Sequence, residues 1–179
     1  MAQGGNPMPQ CDNPFWRFSL AVYAAPGVAD ECLALQDAQG IDVNVLLFGV
    51  WLGSRRLVVT EEHLAVIEST VGRWRDQVVG PLRGVRRDIK ARADAGGQDI
   101  AALRKDVAAL ELRAEQIEQA MLYGLAATFD DATVTAEAAI RRNVSLLLAG
   151  GTEPVRLIEA ARMRASDPII DRGEAGACA

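Results

Sequence analysis

Two stretches of this chain carry apolar residues at alternating spacings of three and four. The first runs Leu64, Ile67, Val71, Trp74 and Val78; the second runs Ile100, Leu103, Val107, Leu110, Ala114, Ile117 and Met121. That spacing lines one face of a helix and forms the seam along which helices pack in coiled coils and bundles. The turn Asp94-Ala95-Gly96-Gly97-Gln98-Asp99 separates the two. The pair is therefore expected to fold back as a long antiparallel hairpin over about residues 60–123. Thr60, followed by Glu61 and Glu62, supplies its opening cap. Gly80-Pro81 interrupts the first seam, and Leu82, Val85 and Ile89 resume it about one residue out of phase. Two helical pieces joined by a kink or brief break at Pro81 are expected.

Ahead of the hairpin lies a group of shorter helices, over about residues 14–54. Asn13-Pro14 combines a cap residue with proline at the first helical position, and Phe15, Phe18 and Val22 then share a face up to Pro26-Gly27. Val28, Cys32 and Leu35 mark a second helix that Gly40 ends. Asp42 caps a third, within the stretch IDVNVLLFGVWLG that Gly53 closes. This run is apolar nearly all round, as a helix buried on most sides must be. At a dozen residues it falls short of the ~20 needed to span a bilayer. Beyond the hairpin, Ala136–Leu148 and about Glu153–Ala165 read as two further helices, with Ile140, Val144 and Leu147 inward. The expected fold class is all-α: a single helical domain over residues 13–166, its N-terminal group packed on the hairpin. Residues 1–12 and 167–179 read as disordered tails.

Composition narrows the function. Half of the 179 residues are hydrophobic, enough for a sizeable core, but only 5% are aromatic. The formal charge is −5, although residues 54–94 carry nine bases against six acids. An acidic total with one short basic face argues against nucleic-acid binding. Cys11, Cys32 and Cys178 are odd in number and widely spaced, and the single His63 has no cysteine near it. Neither a disulfide framework nor a zinc site is expected, no cofactor is implied, and reduced thiols in a cytoplasm fit. The N-terminus has neither the basic nor the apolar region of a signal peptide. No phosphate-loop, dinucleotide-binding or nucleophile-elbow motif occurs.

Several groups of residues together resemble a known family. They are Phe15-Trp16-Arg17-Phe18-Ser19-Leu20, Tyr23, Pro26-Gly27-Val28, Cys32-Leu33, Leu35-Gln36-Asp37, Asp42-Val43-Asn44, Leu46-Leu47-Phe48 and Trp51-Leu52. Trp74, Pro81-Leu82-Arg83, Arg86-Arg87 and Lys90 continue the likeness. The family is a widespread one of small proteobacterial proteins of unknown function, and the likeness is dense over about residues 14–90. It implies a helical cytoplasmic protein and brings no activity, ligand or catalytic residue with it.

The candidate binding residues are Arg83, Arg87 and Lys90, which share a helical face bordered by Arg86, together with Asp42, Asn44 and Trp51. Arginines at such spacing suit a phosphate, a carboxylate ligand or an acidic partner. The same face can instead pair with Glu111, Glu115 and Glu118 of the second hairpin helix. Asp42, Asn44 and Trp51 could line a pocket, or serve as a cap, a helix-end partner and a core side chain. His63 lies in the first turn of a helix with no nucleophile motif beside it, and one histidine cannot complete a carboxylate–histidine di-iron set. Two functions remain open. One is a non-catalytic interaction protein, an adaptor or assembly factor, with a protein partner or a homodimer. The other is a binding protein or enzyme for a small anionic molecule.

Overall fold

A computed structural model describes residues 11–92, 98–130 and 132–165. Of the expected disordered tails, residues 1–10 and 167–179 lie outside them, as do the Asp94–Gly97 part of the turn, Asp131 and Cys178; Cys11 and Asp12 are described, and Asp12 pairs with Arg17. Among the described residues the chain is all-α: α1 (Pro14–Tyr23), α2 (Val28–Gln39), α3 (Val43–Ser54), α4 (Glu61–Trp74), α5 (Gly80–Arg92), α6 (Gln98–Gly124), α7 (Ala136–Leu147) and α8 (Val155–Ala165). No single helix among them is long and apolar enough to cross a membrane.

The helix ends follow from local chemistry. Asn13 Oδ1 accepts from the Trp16 N–H at 2.9 Å, and Asp42 accepts from the N–H groups of Asn44 and Val45. Gly40 closes α2 at φ 67°, which a residue without Cβ adopts freely. Thr60 and His63 form a reciprocal capping pair: the His63 N–H donates to Thr60 Oγ1, and the Thr60 N–H donates to His63 Nδ1.

The core centres on α3, nine of whose twelve residues are buried. Phe15, Phe48 and Trp51 cluster with ring centroids 5.2–5.8 Å apart, and Tyr123 and Phe129 extend the group. The most extensive contact of α3 is with α7. Gly53 lies inside α3 rather than closing it, and its role is proximity. A Cβ there would sit 2.6 Å from the backbone of Ile140, and one at Gly49 would sit 2.3 Å from Leu147. Asn143 of α7 is wholly buried. It donates to the Gly49 and Leu57 carbonyls and accepts from the Val59 N–H, so backbone groups around Leu57–Val59 are satisfied without a strand. On the other side, the Glu31 carboxylate of α2 accepts from Arg156 and Leu157 at the start of α8.

Two expectations for the hairpin need correction. Of the kink or brief break expected at Pro81, the break is absent: helix continues from Glu61 to Arg92, with a π-helical turn over Arg75–Val79. There the Gly80 N–H reaches the Arg75 carbonyl, five residues back. Such a turn holds one extra residue, so it absorbs the phase slip and eases the clash a proline ring makes with the preceding turn. The second correction concerns the α6 seam. Val107 and Ala114 are buried, but Leu103 and Leu110 are more than half exposed, and Glu111 and Glu118 take inward positions. The inner face of α6 is turned because its carboxylates find partners on α3 and α5.

Candidate functional site

Helices α1, α2, α3, α5 and α6 surround a cleft of about 220 Å³. Its apolar wall comes from Trp16, Leu20 and Tyr23 on one face of α1, with Leu33 of α2 and Leu47 of α3 opposite. Its polar lining comes from Ser19, Asn44 and Gln119, and from arginines and glutamates contributed by the two hairpin helices.

Those charges are paired across the hairpin. Arg83 donates to Glu111 at 3.2 Å and to Glu115 at 2.7 Å, while Arg86 grips both oxygens of Glu111. Glu111 is 6% exposed, so it is a buried carboxylate answered by two guanidinium groups. Burial alone would raise the Glu111 pKa, but Arg86 and Arg83 together hold it below its ordinary value. For Glu115 the balance reverses: burial pushes its pKa up, and Arg83 opposes this only in part. Arg87 reaches the other side of the cleft and donates to Asp37 of α2 at 2.9 Å, in an exposed pair.

Behind the polar end runs a chain of amides and acids. Gln119 Nε2 donates to Asn44 Oδ1 at 2.8 Å, and Asn44 Nδ2 donates to Glu118 Oε2 at 2.9 Å. Glu118 is fully buried, and its Oε1, like Asp42 Oδ2, has no hydrogen-bond partner among unprotonated groups. A protonated Glu118 can donate to Asp42, whose side chain lies within hydrogen-bonding reach. Burial, then the neighbouring Asp42 charge, pushes Glu118 up to about 9. Arg75 approaches Asp42 from the opposite side at 3.7 Å.

The six candidate residues thus separate. Arg83, Arg87 and Asn44 line the cleft. Asp42 caps α3 and closes the buried chain behind Asn44, whose side chain bridges to α6 instead of a backbone group. Lys90 lies farther along α5, exposed and outside the lining, and Trp51 is 2% exposed within the aromatic core. Trp74 is half-buried and donates to the Ala114 carbonyl at 2.9 Å. Sequence reasoning gave a site role to neither Ser19 nor Gln119. Ser19 falls within the Phe15–Leu20 stretch that carries the family likeness, whereas Gln119 is one polar residue on an otherwise ordinary helix face. Among the described residues no group of three or more His, Cys, Asp or Glu is arranged to hold a metal ion.

The family model for "Protein of unknown function (DUF2390)" matches residues 14–122. The chain belongs to that family. The match extends past residue 90, where the likeness seen in the sequence fades, and takes in every residue that lines the cleft. Helices α7 and α8, which cover α3 from the other side, lie outside it. No curated protein and no solved structure matches the chain.

Proposed function

We propose that this protein binds a small molecule in the cleft between its N-terminal helices and the hairpin. The carrying observation is the make-up of the cleft: apolar walls from Trp16, Leu20, Tyr23 and Leu47 meet a polar lining from Ser19, Asn44, Gln119 and Arg83. Mostly apolar walls with a few placed polar groups are what ligand sites present.

A protein-docking role, as an adaptor or a homodimer, is the second reading. None of the thirteen residues of α5 is buried, and Val85, Leu103 and Leu110 along the two hairpin helices are each about half exposed. A hairpin with an uncovered apolar seam is a plausible partner for another helix. A cytoplasmic setting accords with both readings.

Native mass spectrometry of the full chain, purified gently from its own cells, tests them together. The cleft reading expects a retained small mass on the folded chain. A dimer or protein complex free of small ligand favours docking, and a bare monomer contradicts both.

A further inference from the structure

The cleft has an apolar rim that the fold leaves uncovered. Leu20 of α1, Leu33 of α2 and Leu112 of α6 all line it, and they are 49%, 43% and 52% exposed. Single surface leucines need no explanation, but three from separate helices converge here on one concavity. A single ligand body lying in the cleft would take apolar surface of all three out of water. The free oxygens of Ser19 and Gln119 are closed to solvent, so polar recognition falls to the arginines.

The ion pairs across the cleft do not exhaust those arginines. Arg83 and Arg86 each donate through Nε and Nη2, and Arg87 through Nη2 alone. Among the described residues the Nη1 of each has no protein partner, which leaves N–H donors unused on all three. Within the lining, three guanidinium groups face only two carboxylates, Glu111 and Glu115. The remaining partner, Asp37, stands outside the lining in an exposed pair with Arg87. Exposed pairs hold weakly, so Arg87 can turn from Asp37 to a ligand without stranding a buried charge. Arg83 and Arg86 can stay on the buried Glu111 and offer their free nitrogens. Charge and rim are neighbours: Leu33 and Asp37 share a face of α2, and Leu112 follows Glu111 on α6.

Resting on the cleft reading above, we propose that the ligand is a small amphipathic monocarboxylate. Its apolar body covers Leu20, Leu33 and Leu112, and its carboxylate takes the unused N–H groups of the cleft arginines, with Arg87 as the principal anchor. One negative charge matches the one guanidinium in excess, and a second would go unanswered. A cavity of about 150 Å³ holds benzene, so 220 Å³ suits a ligand of roughly ten non-hydrogen atoms. Octanoate, octanamide and acetate separate the alternatives, as amphipathic anion, neutral analogue of the same shape, and charge without a body. Binding is measured by calorimetry and by shifts of the backbone amide NMR signals around Leu20 and Leu112.

Octanoate is expected to bind about tenfold more tightly than octanamide, and acetate on the order of a hundredfold more weakly than octanoate. Arg87→Gln should bring octanoate down to the affinity of octanamide and leave octanamide unchanged. Lys90→Gln removes the same charge outside the lining and should change neither. Leu112→Gln should weaken both alike. Arg87, Lys90 and Leu112 are all exposed, so none of these variants removes a core contact. Equal binding of octanoate and octanamide overturns the need for an anion while leaving the cleft reading in place. Octanoate binding that Arg87→Gln weakens no more than Lys90→Gln overturns the arginine anchor. If octanoate fails to bind at millimolar concentration, the ligand class is wrong, and the retained mass in native spectrometry decides the cleft reading separately.

Discussion

Replacing Glu118 by glutamine takes a titrating proton out of the middle of the fold while keeping its shape. In the parent chain Glu118 Oε2 accepts from Asn44 Nδ2 at 2.9 Å, and protonated Glu118 hydrogen-bonds Asp42. Glutamine keeps both links, accepting from Asn44 through its oxygen and donating to Asp42 through its nitrogen. The two proteins should nevertheless respond differently to pH. Glu118 is raised from an ordinary 4.5 to about 9 by burial and the Asp42 charge. Between those values the native state binds a proton that the unfolded chain releases. The contribution is therefore fully present below pH 4.5 and is lost as pH rises toward the folded value. One proton corresponds to about 1.4 kcal/mol per pH unit, so from pH 6 to pH 8 this site should remove roughly 2–3 kcal/mol of stability. Urea unfolding of parent and Glu118→Gln at closely spaced pH values isolates the site, because every other group is shared. The stability of the variant should overtake that of the parent progressively as pH rises. Parallel curves would refute the account of a proton held on Glu118.

Two further substitutions test the packing and the basic face. Gly53→Ala should destabilise by about 1–3 kcal/mol, because its Cβ meets the Ile140 backbone at 2.6 Å. Gly84→Ala on α5 meets nothing within 4 Å and should gain up to about 1 kcal/mol from helix propensity; chemical denaturation showing the same sign at both glycines would contradict the close approach of α3 and α7. Arg87→Ala combined with Lys90→Ala should change stability by no more than about 0.5 kcal/mol in the same assay, since Arg87 makes one exposed pair and Lys90 lies in solvent.

The parts of this fold that were legible in the sequence are those governed by near neighbours. Asn13, Gly40, Asp42 and Thr60 end their helices through groups a few residues away, so composition at those positions was enough. The apolar ring of α3 likewise announced its burial. Part of the hairpin chemistry was also readable, since Arg83 and the glutamates of α6 repeat at helical spacing and do pair. What escaped depends on partners distant along the chain. Asn44 meets residues 74 and 75 positions away, and Asn143 meets residues 84 to 94 positions away. Leu110 looked like a seam residue by spacing alone, but the seam turns where Glu111 finds two arginines. The phase slip at Gly80-Pro81 was visible, yet a slip alone does not distinguish a break from a widened turn.

That widened turn sets the polarity of the cleft. One residue accommodated in a helix rotates everything beyond it by about 100° relative to what comes before. The extra residue within Arg75–Val79 therefore acts as a phase shifter between α4, which is anchored in the core by Ile67 and Val71, and α5, which carries the arginines. Shortening the chain there by one residue would leave α4 seated and swing Arg83 and Arg86 away from Glu111. The electrostatic character of this cleft is thus governed by chain length at one turn as much as by the identity of the side chains that line it.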